Sequence, residues 1–502
     1  MARTAITGSL IAIELDKDSQ ESVHQQIESK LRAAIVSGRL PAGARLPSTR
    51  IFAGEIGVSR NTVLQVFETL TEEGLLLSRL GAGTFVAELT DDERTGYFSH
   101  EDKRREDGGY PFRSLSRRGK SLVASATGEF SERPTPFMPD LPDLREFPIR
   151  TWLRLLNETS GRLTGEILAD TSNAGYEPLR RAIAQHLNSS KGMNCDYTQV
   201  IITTGSQQSL DLVCRMLLDV GDPVWLEEPG YIGARSVFAA NGATLYPVTV
   251  DAEGINVDAV INVHPAPRII FTSSSRHYPL GATLSMIRRE SMIRFARKCG
   301  CWIVEDGYDH EFRYSGGTPP SVYGLDAGAR TIHLGTFSKV LLPSFRLGYV
   351  VVPSDLSESF AKARAVVDRH ASLIEQMVLS EFMHRGLLVA HIRRMRTLYR
   401  TRQVQLVEGL KGIFDENLTV TATETGMHVV LHLIPSADDE ALSKIAVESG
   451  VVTRPLSPYY AGKECQQGLL LGFSAFNSAE ISQGLFRLAR LRQAINRFLT
   501  KA

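Results

Sequence analysis

The sequence predicts an α/β protein built in two unlike parts, and three observations carry that reading. Residues from about 20 to 88 show short helical patterns and then one turn-rich hairpin, whereas residues after about 130 alternate apolar strand-like runs with amphipathic helices. Between them Asp91 to Asp107 is nearly all charged or polar, and Tyr110 to Lys120 adds a basic, serine-containing stretch. Such a stretch buries too little apolar surface to fold alone. It reads as a solvated linker whose tail docks onto the longer part, with a direct DNA or partner contact as the alternative.

The 502 residues, at roughly 150 per domain, make about three structural units. With 43% hydrophobic and 22% charged residues the chain has the content of large globular cores, which excludes a disordered protein. Its 56 basic residues balance 56 acidic ones, so contact with nucleic acid or an anionic membrane has to come from a local patch. Met1 to Leu10 lacks the plan of a signal peptide and no apolar run is long enough to span a bilayer, so a cytoplasmic location is expected. Cys195, Cys214, Cys299, Cys301 and Cys465 are odd in number and lack zinc-type spacing. Cys299-Gly300-Cys301 runs into Trp302-Ile303-Val304 and reads as a buried strand edge, with a metal or redox pair as the weaker alternative. No metal is expected.

Within the N-terminal part, Val23, Ile27, Leu31 and Ile35 recur every four residues and predict a first helix ending near Gly38. Pro47-Ser48 opens a second helix through Glu55 with Ser48 as its N-cap. Gly57-Val58 then turns into Ser59, the N-cap of a third helix that buries Val63, Val66, Phe67 and Leu70. The first turn of that helix holds Arg60, Asn61 and Thr62, the short polar and guanidinium side chains that a helix-turn-helix presents to base edges in the major groove. Leu75 to Arg79 and Thr84 to Glu88 read as two strands joined through Leu80-Gly81-Ala82-Gly83, which adds a wing. Residues 30 to 80 hold seven basic and four acidic side chains, a local source of phosphate neutralisation. A small helical oligomerisation or protein-binding module is the alternative from pattern alone.

The runs Leu46-Pro-Ser-Thr-Arg50, Gly57-Val-Ser-Arg-Asn-Thr-Val63, Glu73-Gly74 and Gly81-Ala-Gly-Thr-Phe-Val86 resemble the winged helix-turn-helix of GntR-type bacterial regulators. The resemblance implies that Ser48, Arg50, Ser59, Arg60, Asn61 and Thr62 meet double-stranded operator DNA and that Gly83 approaches the minor groove.

In the long part, βα alternation from about Asp143 predicts a doubly wound sheet. Val200 to Thr204 ends at Gly205-Ser206-Gln207-Gln208 before a helix, an arrangement that suits an anion but also describes a plain β-to-α turn. Cys301 to Val304 delivers Glu305-Asp306-Gly307-Tyr308 at a carboxyl end, and Thr331 to Leu334 leads to Gly335-Thr336-Phe337-Ser338-Lys339, followed by Arg346. Singly, Asp306 reads as a helix cap and Lys339 as a surface lysine. Together, a lysine amine, an acid and a phosphate cradle are what pyridoxal 5′-phosphate requires.

Residues from roughly 135 to 500 resemble a fold-type I aminotransferase through Thr204-Gly-Ser-Gln-Gln208, Glu227-Glu-Pro-Gly-Tyr231, Tyr278-Pro-Leu-Gly281, Glu305-Asp306-Gly-Tyr308 and Thr336-Phe-Ser-Lys339 with Arg346. The resemblance implies that Lys339 forms the internal aldimine and Asp306 pairs with the ring nitrogen. It also has Tyr308 bond the ring hydroxyl, Tyr231 stack on the ring, Tyr278 line the cofactor, and Ser206, Gln207, Thr336, Ser338 and Arg346 hold the phosphate. The whole plan is similar to the MocR subfamily, including GabR-like regulators, which implies a head-to-tail homodimer. The expected domains are 18–88 for the DNA reader, 89–134 for the linker and 135–500 for the aminotransferase-like part. The last is divided into a large portion of about 135–380 and a small α+β portion of about 381–500.

Two departures stand out. Where relatives carry Tyr-x-Asp-Pro-x-Gly this chain has Asp170-Thr-Ser-Asn-Ala-Gly175, so that a tyrosine is missing and Tyr176 is the candidate replacement. Ser275-Arg276-His277-Tyr278 puts a guanidinium where an imidazole is usual. Arg235 and Arg454 sit where GabR-like proteins keep anion-binding arginines, and a planar bidentate guanidinium suits a carboxylate or sulfonate effector. Arg393, Arg394, Arg396, Arg400 and Arg402 read as interdomain packing and solvation, with a second DNA stripe as the alternative. The expected function is a regulator that senses an amine, an amino acid or pyridoxal phosphate itself through Lys339. A working aminotransferase and a scaffold with a dead pocket are the rivals.

Overall fold

The computed structural model describes residues 21–79, 83–88, 115–124, 134–169, 172–308, 311–317, 319–369, 371–414, 419–422, 424–462 and 465–493. It resolves two compact units, the second beginning at Leu115.

The first unit follows from its caps and apolar spacing. Helix α1 (Val23–Val36) starts at Ser22, whose hydroxyl accepts the Gln25 N–H, and it buries Ile27, Leu31 and Ile35. Val23, expected on the same face, is 44% exposed, because a first-turn residue overhangs the end of the core. Helix α2 (Thr49–Ile56) ends at Gly57 in the left-handed conformation, and α3 (Arg60–Glu72) buries Val63, Val66, Phe67 and Leu70. Strands β1 (Leu76–Arg79) and β2 (Gly83–Val86) pair antiparallel with Leu76 opposite Val86. The turn at Leu80-Gly81-Ala82 lies outside the described residues, as does most of the expected linker. Residues 117–124 of that linker are helical and pack on the helix Ile232–Ala240 of the second unit.

The second unit is organised by an eight-stranded sheet in the order β3-β10-β9-β8-β7-β4-β5-β6. Its strands are β3 (Val200–Thr203), β4 (Pro223–Glu228), β5 (Thr244–Asp251), β6 (Gly254–Ile255), β7 (Ile269–Thr272), β8 (Trp302–Asp306), β9 (Thr331–Thr336) and β10 (Gly348–Val351). Strands β4, β5, β7, β8 and β9 run parallel, while β10 is antiparallel to both β9 and β3. Strand β3 therefore points the same way as β9, and the carboxyl ends of β3, β9, β8, β7 and β4 share one edge. Side-chain alternation splits the apolar residues between two cores. Val224, Leu226, Ile269 and Phe271 join one, and Trp225, Ile270, Ile303 and Met292 join the other. Cys299 does not sit on a strand edge as expected: it closes the helix Met286–Cys299 and is exposed, while Gly300 turns the chain into β8. Among the described residues no His, Cys, Asp and Glu side chains cluster as metal ligands, and no helix is long and apolar enough to cross a membrane.

The small portion has four antiparallel strands in the order β11-β12-β14-β13: β11 (Val420–Thr421), β12 (His428–His432), β13 (Arg454–Pro455) and β14 (Gly468–Gly472). The helices Leu387–Ile413 and Ser478–Arg490 pack together beside it. The segment 135–143, expected in the large portion, also makes hydrogen bonds to the small one. Pro136 O accepts Val452 N–H at 2.9 Å, Phe137 O accepts Gly472 N–H at 2.8 Å, and Leu141 O accepts the Ser474 hydroxyl at 2.6 Å. The arginine-rich helix packs as expected: Arg402 is buried on Asp143 at 2.9 Å, Arg394 bonds Glu146 and Arg396 bonds the carbonyl of Glu311, while Arg393 and Arg400 are exposed.

Candidate functional site

In the first unit the serine hydroxyls are held by their caps. Ser48 Oγ accepts the Ile51 N–H at 3.4 Å, and Ser59 Oγ accepts the Thr62 N–H at 3.1 Å while sharing a hydrogen bond with Thr62 Oγ1 at 2.8 Å. These bonds satisfy helix-start amides and fix the turn that carries Arg60 and Asn61, both exposed, as is Arg50 on α2. At the wing, Gly83 has φ +106, a conformation that strains any other residue, and a Cβ there would lie 3.1 Å from Arg45 Nε. The Arg45 guanidinium thus lies across the wing backbone, and Arg79 sits over the Phe85 ring at 5.2 Å. Arg32, one of the seven basic residues counted, is instead spent within the fold on Glu28 at 2.5 Å and Glu73 at 2.6 Å.

In the second unit the predicted residues converge on the shared sheet edge. Strand β3 ends at Thr203 and leads through Thr204 to Gly205, the N-cap of the helix Ser206–Leu217, with φ +122 and no side-chain cap. Gly348 on β10 is pressed against it, since a Cβ on Gly348 would come 2.8 Å from Gly205 Cα. The Arg346 guanidinium carbon is 4.0 Å from where a Cβ on Gly205 would sit. Beyond β9, Thr336 Oγ1 bonds Ser338 Oγ at 3.1 Å and accepts the Ser338 N–H at 3.2 Å. An uncapped helix start, two hydroxyls and a guanidinium form a donor set suited to a phosphate dianion.

Strand alternation divides the two acids at the end of β8. Glu305 turns to one face, where it accepts the N–H groups of Val322 and Tyr323 at 2.9 and 3.1 Å and meets His333 Nδ1 at 3.1 Å. Asp306, also buried, faces the opposite side. Burial pushes Tyr231 up to about 12, with Asp306 adding to the rise. The Tyr231 hydroxyl accepts Gln207 Nε2 at 2.7 Å, which leaves the amide a second N–H donor. The Tyr308 hydroxyl accepts Arg276 Nη1 at 2.9 Å. Tyr278 packs edge-on to Tyr231, Tyr308, His428 and Tyr459, with centroids 5.3 to 6.1 Å apart.

The structure gives both proposed anion-binding arginines a partner inside the chain. Arg235 donates to Pro458 O at 2.8 Å, and Arg454 donates to Asp140 Oδ2 at 3.1 Å. Lys339 is half-buried and donates to the carbonyl of Asp140 at 2.8 Å. Asp140 has φ +65 and was not among the sequence candidates. Aspartate enters that conformation more readily than most residues, and its place in a proline-rich run before the helix Ile149–Ser160 is the signal the sequence offers. Burial pushes its carboxyl up, but Lys339, His428 and Arg454 overcome that and hold it well below the usual range. A second set of bonds seats the loop after β13 on the large portion: Glu228 Oε1 accepts the N–H groups of Ala461 and Gly462 at 2.6 and 2.8 Å, and Tyr459 O accepts Gly230 N–H at 3.0 Å. Asp170 and Thr171 lie outside the described residues. Tyr176 packs against the core and donates its N–H to Gln376 Oε1 at 2.9 Å.

Comparison with known proteins agrees with this construction. The model of aminotransferase class I and II matches residues 142–481, and that of the gntR family of bacterial regulatory proteins matches residues 23–86. The chain is 36% identical to the probable rhizopine catabolism regulatory protein MocR of Rhizobium meliloti, over 94% of each chain. It is 31% identical to the HTH-type transcriptional regulator TauR of Rhodobacter capsulatus, over 94% of this chain and 96% of that one. Among solved structures it is similar to the α-aminoadipate aminotransferase LysN of Thermus thermophilus, complexed with N-(5′-phosphopyridoxyl)-L-leucine. That match has a TM-score of 0.67 and 27% identity, and covers 76% of this chain and 96% of that one. With a GntR-type reader followed by an aminotransferase class I and II domain, and relatives of the same plan along nearly its whole length, the protein belongs to the MocR-type GntR transcription regulators, DNA-binding proteins that depend on pyridoxal 5′-phosphate.

Proposed function

We propose that this protein is a cytoplasmic gene switch, working as a homodimer on operator DNA, that responds to a primary amine arriving at Lys339 rather than turning over substrates. The observation that carries the reading is the meeting of Lys339, the buried Asp306 and the uncapped start of the helix Ser206–Leu217 under Arg346 at one sheet edge. Pyridoxal 5′-phosphate, when bound, supplies an aldehyde carbon to which primary amines add reversibly. Asp306 would hold the ring nitrogen protonated, and Tyr308, with Arg276 behind it, would orient the ring hydroxyl. Tyr231 would cover one ring face and Tyr278 would wall the site. Ser206, Gln207, Thr336, Ser338 and Arg346 would bind the phosphate, with Gln207 also bonding Tyr231.

On the DNA side, Arg50, Arg60, Asn61 and Thr62 would contact the operator, Ser48 and Ser59 would fix their turns, and Gly83 would let the wing backbone approach the minor groove. The relatives that match along the whole chain are named as regulators, which supports sensing over turnover.

The test is Lys339→Ala. The purified variant is expected to lose the yellow absorbance of the lysine-bound cofactor while its far-UV circular dichroism and its gel-shift binding to the operator persist. An unchanged absorbance band removes Lys339 from this role, and steady consumption of an amino donor and a keto acid by the wild type favours the enzyme instead.

A further inference from the structure

Asp140 links the amine of Lys339 to the guanidinium of Arg454. Its carbonyl accepts Lys339 Nζ at 2.8 Å, and its carboxylate accepts the Tyr278 hydroxyl at 2.5 Å and Arg454 Nη1 at 3.1 Å, with the His428 ring at 3.4 Å. A carboxylate therefore already lies within one residue's reach of the amine and on Arg454, the guanidinium that the acid group of a short amino acid taking the place of the Lys339 amine would need.

The segment that carries Asp140 is tied down on both sides. Residues 136, 137 and 141 each make a hydrogen bond to the small portion, and Phe137 is fully buried. Two residues beyond, Asp143 is gripped by Arg145 at 3.0 Å and Arg402 at 2.9 Å. There is no room for the strap to slide against β14, because a Cβ on Gly472 would come 2.2 Å from Met138 O. A carboxylate held this way acts as a fixed part of the wall, and an incoming acid group would compete with it for Arg454 and be repelled by it. Arg235, the other arginine suited to an anion, already donates to Pro458 O.

We propose that Asp140 determines specificity, neutralising Arg454 from within the chain so that the site takes a primary amine bearing a hydroxyl and no acid group in preference to an amino acid. This rests on the reading of Lys339 as the cofactor lysine. A carboxylate has about four acceptor positions, so Asp140 keeps capacity for one more donor from the amine's tail.

The experiment compares 3-amino-1-propanol with β-alanine, which share length and amine and differ in a hydroxymethyl against a carboxylate. Cofactor-loaded wild type, Asp140→Gly and Asp140→Asn are titrated by absorbance, with melting curves to establish folding; glycine relieves the positive φ and asparagine keeps the shape. The wild type is expected to favour the alcohol by about tenfold or more, and both variants to move the preference toward β-alanine by about tenfold. In parallel, calorimetry on the cofactor-free proteins is expected to detect propionate binding to the variants and none to the wild type. A wild type that favours β-alanine, or variants with unchanged preference and no propionate binding, overturns the proposal. A wild type that takes up no cofactor sinks the cofactor reading alone, and the propionate measurement then decides on Asp140 by itself.

Discussion

Replacing Glu227 by glutamine should remove a pH dependence of stability that the wild type carries near neutrality. Glu227, on β4, is 4% exposed; its Oε1 accepts the Thr272 hydroxyl at 2.7 Å and the Ser273 N–H at 3.0 Å. Oε2 has no hydrogen bond and faces His277 Nε2 at 3.9 Å. That imidazole supplies no countercharge, because burial pushes it down to about 3 and it bonds Pro229 O at 2.8 Å. Burial therefore pushes Glu227 up to about 7, with Asp306 adding to the rise against the two hydrogen bonds. The folded protein keeps a proton that the unfolded chain releases near 4.5, so stability is fully present below 4.5 and is lost as pH rises through 7. A gap of about 2.5 pH units at 1.36 kcal/mol each makes the buried carboxylate cost about 3 kcal/mol above neutrality. Glutamine keeps the acceptor at Oε1 and cannot ionise.

The assay is urea unfolding of both proteins at pH 5 and pH 8, followed by tryptophan fluorescence, to which Trp225 on the same strand contributes. The difference between wild type and Glu227→Gln cancels every other titrating group, and it should shift by about 2.5 kcal/mol in favour of glutamine from pH 5 to pH 8, since part of the cost is already present at pH 5. Equal shifts for the two proteins would show that the carboxyl is already ionised in the fold and would refute the argument.

Two further outcomes are expected. Gly348→Ala places a methyl 2.8 Å from Gly205 Cα and 2.9 Å from Gly335 O. It should cost about 1 to 3 kcal/mol in stability and weaken cofactor uptake in equilibrium dialysis, because both obstacles are backbone. Arg60→Ala should weaken operator binding by about 1 to 3 kcal/mol if Arg60 reads a base, whereas an equal loss on every sequence would make it a phosphate contact.

What could be read from the sequence was local chemistry. Ser48 and Ser59 were legible as caps because a hydroxyl before a helical repeat has few other uses, and α2 and α3 begin one residue after each. Asp306 and Lys339 were legible because apolar runs deliver them to strand ends, where ligands gather in open sheets. The strand limits moved by one or two residues: β8 starts at Trp302 rather than Cys301 and β9 continues to Thr336, since pairing with neighbours sets where a strand stops. The insertion of β10 between β9 and β3 was invisible, as it depends on partners about 150 residues apart in sequence. So were the bonds of residues 136, 137 and 141 to Val452, Gly472 and Ser474 of the small portion, which span more than 300 positions. The site residue missed for that reason is Asp140: what marks it is which side chains the fold brings to it, and no spacing records that.

The guanidinium that departs from the expected pattern and the carboxylate that no motif marks meet at one imidazole. Arg276 Nη2 lies 3.2 Å from His428 Nε2, and the same ring lies 3.4 Å from Asp140. Burial, then Arg276, pushes His428 down, while Lys339, His428 and Arg454 together hold the Asp140 carboxyl low. Arg276 is itself buried, and a further cation in a low-dielectric site already holding Lys339 and Arg454 raises the cost of all three. A fixed anion beside them offsets that cost without borrowing the acid of a ligand. The unusual Arg276 and the fixed Asp140 thus form one electrostatic arrangement: each adds a charge of opposite sign, so the anion offsets the cation that Arg276 brings and the pair adds no net charge to the site.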